Sequence, residues 1–225
     1  MARNITQYMR TPATSVLDTN SVIRNTYILL SATLLFSAIC AGIGMMVNMP
    51  PINGFLVLLG YMGILFAVHA FKNTALGILF VFLLTGFMGF TLGPLLNFYV
   101  AAFSNGSELI MTALGGTGIV FLGLSGYALT TRKDFSYLTG FMVAGSLVLL
   151  LGIIAGFFIH MPAFHLMLAG GFVLFSSAAI LFETSQIIQG GQRNYILATV
   201  SLYVSIINLF ISLLQILAAV SGRRD

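Results

Sequence analysis

The stretch ATVSLYVSIINLFISLL, residues 198–214, contains no charged side chain, no glycine and no proline. With its flanks the apolar run covers about 195–220, more than the roughly 20 residues an α-helix needs to cross the hydrocarbon of a bilayer. Its polar residues, Ser201, Ser205, Asn208, Ser212 and Gln215, step by four, three, four and three. That spacing places them on one helical face. Lipid cannot hydrogen-bond such a face, so it should turn inward, either as glue between helices or as the wall of a polar cavity.

Six further runs of the same kind lie at about 26–47, 54–71, 76–103, 108–129, 137–159 and 164–188. Of the 225 residues, 59% are hydrophobic and only 6% charged. A soluble domain carries about 25% charged residues, so this chain lacks the means to cover a water-facing surface. The expected fold is an all-α membrane protein, a bundle of seven transmembrane helices over residues 25–221. Residues 1–24, polar and rich in Asn, Thr and Ser, read as a flexible cytoplasmic tail, and residues 222–225 as a short C-terminal tail. The first run is span-length and follows a long polar segment, which favours an uncleaved helix over a signal peptide. Cys40 is the single cysteine, so no internal disulfide can form.

The net charge of +4 is scattered among the loops and is no nucleic-acid footprint. Arg3, Arg10, Arg24, Lys72, Arg132, Lys133 and Arg193 fall on one side of the predicted topology, and these are seven of the nine basic residues. By the positive-inside rule that side is cytoplasmic, with the N-terminus inside and the C-terminus outside.

The sixth run carries a carboxylate, Glu183, about five residues before its inner end, or roughly 7–8 Å deep at 1.5 Å per residue. Two roles fit. It pairs with a basic residue of the neighbouring loops (Lys72, Arg193, Arg132 or Lys133), or it is a buried group that senses protons or gates a pathway. Ser201 and Ser205 lie at similar depth on the seventh run, with Asn208 one turn beyond, so the two helices could share one site. In the third run Pro94 should kink the helix and free a carbonyl that Asn97 or Thr91 could satisfy. Gly86, Gly89 and Gly93 allow close helix packing there, and the kink could also act as a hinge.

Catalytic arrangements do not assemble. GLSG, residues 123–126, places Ser125 near the inner face, whereas His165 lies at the outer end of the sixth run. A nucleophile and its base must come within about 3 Å. His69 and His160 also sit at opposite faces, no H-E-x-x-H motif or cysteine pair is present, and Asp18, Asp134 and Asp225 all lie outside the spans. No enzyme activity and no cofactor are expected.

ILFETSQII (180–188) followed by ATVSLYVSIINLFISLL (198–214) resembles the last two helices of the Bax inhibitor-1 family. TGFMGFTLGPLLN (85–97), LTTRKDFSYL (129–138) and IRNTYILLSATLLFSA (23–38) are similar to its YccA branch of bacterial inner-membrane proteins. The resemblance covers nearly the whole chain from about residue 20. It implies a seven-helix bundle with the last helix near the centre. Calcium-leak members of the family carry two aspartates, on the sixth and seventh helices, that form a proton-sensitive pair closing a pore. The first corresponds to Glu183 and the second to Ser205, so the pair is broken here. One carboxylate loses the like-charge coupling of two, and calcium prefers several oxygen ligands with more than one carboxylate. The YccA branch implies instead association with the membrane-anchored AAA+ protease FtsH and its HflK–HflC partners, as modulator and slow substrate. A pH-sensitive calcium or proton leak gated at Glu183 is the alternative.

Overall fold

The computed structural model describes residues 12–48, 50 and 53–222. Helices α1 (Pro12–Met46), α2 (Gly54–Phe71), α3 (Ala75–Ala102) and α4 (Gly106–Thr131) are followed by a 3-10 turn (Ser136–Leu138). Then come α5 (Thr139–Gly156), α6 (Pro162–Ile188) and α7 (Tyr195–Ser221). All seven α-helices are long and apolar enough to span a membrane. The expected spans are found to within a few residues, except at α1. There the helix begins at Pro12, so residues 12–24 are helical and continue into the first span. Val22 and Ile23 already pack against the core, which gives this segment a reason to stay helical. The rest of the expected tail, residues 1–11, lies outside the described residues, as do 223–225.

Helix α7 is the most buried of the seven and touches α1, α2, α3, α4 and α6. It contributes to every core cluster. Phe210 and Leu214 meet Leu96 and Tyr99 of α3 and Leu109 of α4, while Leu202 and Tyr203 meet Leu30 of α1 and Ile187 of α6. Ile196 and Val200 meet Val68 of α2 and Val81 of α3. Buried Tyr203 accepts a hydrogen bond from Ser37 Oγ of α1 at 2.7 Å and donates to the Thr85 carbonyl of α3 at 3.2 Å. Three helices are thereby locked at one depth.

The broadest helix contact is α1 against α3. A Cβ at Gly89 would run into the Ser37 carbonyl, and one at Gly93 into the backbone of Gly44. Helix α3 continues through Pro94, which leaves the Phe90 carbonyl without its helical donor. Gly44 of α1 packs directly on that carbonyl. Asn97 donates to the Met45 carbonyl at 3.0 Å and to Asn48 Oδ1 at 3.4 Å, fixing the far end of α1. These residues pack and tie helices together.

By contrast α2 and α5 are peripheral and mostly exposed, with large apolar side chains such as Phe66, Val148 and Leu151 facing outward. In a bilayer such faces meet lipid.

The loops sort to two ends. Asn194 caps α7 by accepting from the Ile196 and Leu197 amides, and donates to the Lys72 carbonyl and to Asn73. Gln189, which caps the end of α6, donates to the Arg132 carbonyl, and Gln186 of α6 to Ser136. Ser185 donates to the Lys133 carbonyl and accepts from the Phe135 amide. The polar tail of ETSQIIQ (183–189) therefore clamps the TTRKDFS loop (130–136). The α2–α3, α4–α5 and α6–α7 loops, with Lys72, Arg132, Lys133 and Arg193, share this end. At the opposite end Asn105 bonds Ser221, so α7 crosses the full bundle.

Candidate functional site

The seating of α7 leaves one of its flanks open between α2 on one side and α5–α6 on the other. A cavity of about 590 Å³ fills this gap. Helix α2 supplies Tyr61, Leu65 and His69, and α5 supplies Met142. Helix α6 contributes Phe175, Ser176, Ala179, Phe182, Glu183 and Gln186. From α7 come Val204 and the polar residues Ser201, Ser205 and Asn208, while Gly191 and Gln192 of the preceding loop close one end.

Glu183 and Ser205 meet. The Ser205 hydroxyl donates to the carboxylate, 3.3 Å from Oε1 and 3.2 Å from Oε2. A carboxylate offers about four acceptor positions, and one hydroxyl hydrogen cannot occupy them all. The basic residues expected as partners do not pair with Glu183. Arg193 donates to the Gly190 carbonyl, and the main chains of Lys72, Arg132 and Lys133 are held in the loop clamp while no ion pair joins any of them to Glu183 among the described residues. The reason is placement: these residues sit in the loops beyond the helix end, whereas Glu183 points sideways into the cleft.

The polar stripe divides. Ser201, Ser205 and Asn208 line the cavity, Ser212 is buried, and Gln215 is exposed. Steps averaging 3.5 residues on a 3.6-residue helix drift about 20° per heptad. Over two heptads that turns Gln215 out of the interior face. Pro94, Asn97 and Gly93 lie in the α1–α3 contact, away from the cavity.

Two features were not anticipated from the residues. Ser176 lines the cavity two turns along α6 from Glu183, and its buried Oγ has no hydrogen-bond partner in the protein. His69 also lines the cavity, its Nδ1 donating to the Leu65 carbonyl at 3.1 Å. Ser125 sits in a different place, its buried hydroxyl 3.4 Å from Thr184, which is itself 3.4 Å from the Tyr27 hydroxyl. His165 packs on Phe164 at the other end of α6. A Ser125–His165 dyad does not exist. Among the described residues no three of His, Cys, Asp and Glu gather as metal ligands.

Fold and site together define a polytopic α-helical membrane protein whose central helix borders a cleft containing one carboxylate. The chain belongs to the Bax inhibitor-1 family: the family model described as "Inhibitor of apoptosis-promoting Bax1" matches residues 19–222. It is 50% identical over 208 residues to a protein of Escherichia coli strain K12 named Modulator of FtsH protease YccA, covering 92% of this chain and 94% of that protein. It is 50% identical over 205 residues to an uncharacterized protein of Pseudomonas aeruginosa, covering 91% and 92% of the two chains. An uncharacterized membrane protein of Vibrio cholerae is 44% identical over 207 residues, 92% of each.

Proposed function

We propose that this protein is a bacterial inner-membrane modulator of the membrane-anchored protease FtsH, and not itself an enzyme. The observation that carries the reading is the 50% identity, across 92% of the chain, to a relative named for that activity. The YccA branch further suggests HflK and HflC as companions and slow degradation of the modulator by its own target. The grouping of Lys72, Arg132, Lys133 and Arg193 at one end supports a cytoplasmic placement of that end, and with it an N-terminus within reach of a cytoplasmic unfoldase. The test is co-purification of FtsH from membranes with the tagged full chain and with a variant lacking residues 1–11. The full chain should retain the protease and be slowly degraded by it. The truncated chain should escape degradation. Absence of FtsH from the full-chain complex would refute the reading.

A second reading is favoured by one specific observation: Glu183 opens onto a cavity and is held by Ser205, at the two positions corresponding to the family's carboxylate pair. On this reading Glu183, Ser205, Ser201 and Asn208 form a proton-sensitive gate for a cation leak. Flux of calcium or protons in proteoliposomes that vanishes in Glu183→Gln would establish it. Flux no greater than in empty liposomes would dismiss it.

A further inference from the structure

We propose that the cleft beside Glu183 is a binding site for a small amphipathic amine, its ammonium on the Glu183 carboxylate and its apolar body lying along α6 toward Ser176. The inference is independent of the protease reading.

Charge selects the sign of the ligand. The cavity contains one carboxylate, and among the described residues no lysine or arginine lines it. The Glu183 oxygens share a single donor, the Ser205 hydroxyl, so acceptor capacity facing the cavity remains. His69 and the phenol of Tyr61 are the other titratable side chains lining the cavity, and the Nδ1 of His69 is occupied by the Leu65 carbonyl. An anion would meet only repulsion from Glu183.

The walls select an organic cation over a metal ion. Calcium takes six to eight oxygens with carboxylates among them, whereas most of this surface is apolar, formed by Phe175, Ala179, Phe182 and Val204. A cavity of about 590 Å³ lies within the roughly 300–1,000 Å³ of small-molecule sites, which pair apolar walls with a few placed polar groups. Aromatic rings at the wall also suit an ammonium through their π-faces.

Ser176 sets the length. It is seven residues before Glu183 on the same helix, about 10 Å along the axis at 1.5 Å per residue. Its buried, unpartnered hydroxyl is the kind of group that normally finds a partner. A ligand with an ammonium at one end and a hydroxyl at the other, separated by an apolar body, satisfies both ends.

Tyramine is the probe, with 4-ethylphenol (the same ring without the ammonium) and 2-phenylethylamine (without the phenol hydroxyl) as controls. Binding is read by calorimetric titration and by the rise in Tm of the full chain in phosphatidylcholine nanodiscs. Tyramine should bind saturably, and 4-ethylphenol about tenfold or more weakly, the loss expected for one charge-assisted hydrogen bond. Glu183→Gln should abolish the preference for the amine. Ser176→Ala should bring tyramine down to the affinity of 2-phenylethylamine, whose own binding should not change. Adding phosphatidylethanolamine to the nanodiscs distinguishes the source of the ammonium: competition assigns the site to a lipid headgroup, no competition to a soluble amine. Equal binding of tyramine and 4-ethylphenol to the unmodified chain, or no binding of either, would overturn the proposal without reliance on any variant.

Discussion

The Ser205 hydroxyl of α7 reaches both carboxylate oxygens of Glu183 on α6, at 3.3 and 3.2 Å. The two helices are joined there by a single donor on the open flank of the central helix. Ser205→Ala removes that donor and leaves a carboxylate with no protein partner. Hydrogen bonds to charged groups contribute about 1.5–3 kcal/mol in water-soluble proteins, and interhelical bonds in membranes average about 0.6 kcal/mol. Ser205→Ala should therefore destabilise the fold by about 1–2 kcal/mol, read by titration with a denaturing detergent. Ser205→Asp places a second carboxylate against the first and should confer calcium flux in liposomes above that of the unmodified chain.

Tyr203 joins α1, α3 and α7 through one phenol. Tyr203→Phe keeps the ring, takes the acceptor from Ser37 Oγ and removes the second donor of the Thr85 carbonyl, which keeps its helical one. The expected loss is about 1 kcal/mol in the same unfolding assay, with no effect on the Glu183 cleft.

The α1–α3 contact depends on absent side chains. Gly89→Ala drives a methyl into the Ser37 carbonyl, and overpacking of this kind costs about 1–3 kcal/mol. Gly115→Ala on α4 meets nothing within 4 Å and should be neutral, or stabilising by up to about 1 kcal/mol through helix propensity. A similar loss from both substitutions would contradict the packing description.

Asp134, in the α4–α5 loop, accepts from the Ser136 hydroxyl and amide, and these bonds hold its carboxyl below the ordinary value of 3.8. A depressed folded-state pKa gives stability that is present above the unfolded value and disappears as pH falls through the folded one. Asp134→Asn should therefore flatten the stability profile below about pH 4 and change little near neutrality. The carboxylate is fully solvent-exposed, so the effect should be small.

The spans were readable because a bilayer imposes length and apolarity on each helix independently of its neighbours. The meeting of Glu183 with Ser205 was also within reach, since both lie at similar depth on consecutive helices. Other features depended on partners that one helix does not announce. Tyr203 reads as one more apolar residue of α7 until Ser37 and Thr85 are placed beside it. Ser176 is one more small residue of α6 until the gap between α2 and α5 puts it at a cavity wall with its buried hydroxyl unpaired. Gln215 belongs to the stripe by spacing yet leaves it by helical drift. Residues 12–24 have the composition of a loose segment, yet α1 begins at Pro12, with Val22 and Ile23 packed on the core. Arg193, ten residues after Glu183, turns to the Gly190 carbonyl instead.

The proposed modulation of the protease is the function to measure first. Its most direct test is the rate at which purified FtsH, reconstituted in proteoliposomes, degrades a membrane substrate with and without this protein at equal lipid density. Degradation should slow, and the effect should saturate as the protein approaches equimolar amounts. A substrate half-life unchanged at any ratio, with both proteins shown to be folded and co-inserted, would contradict it.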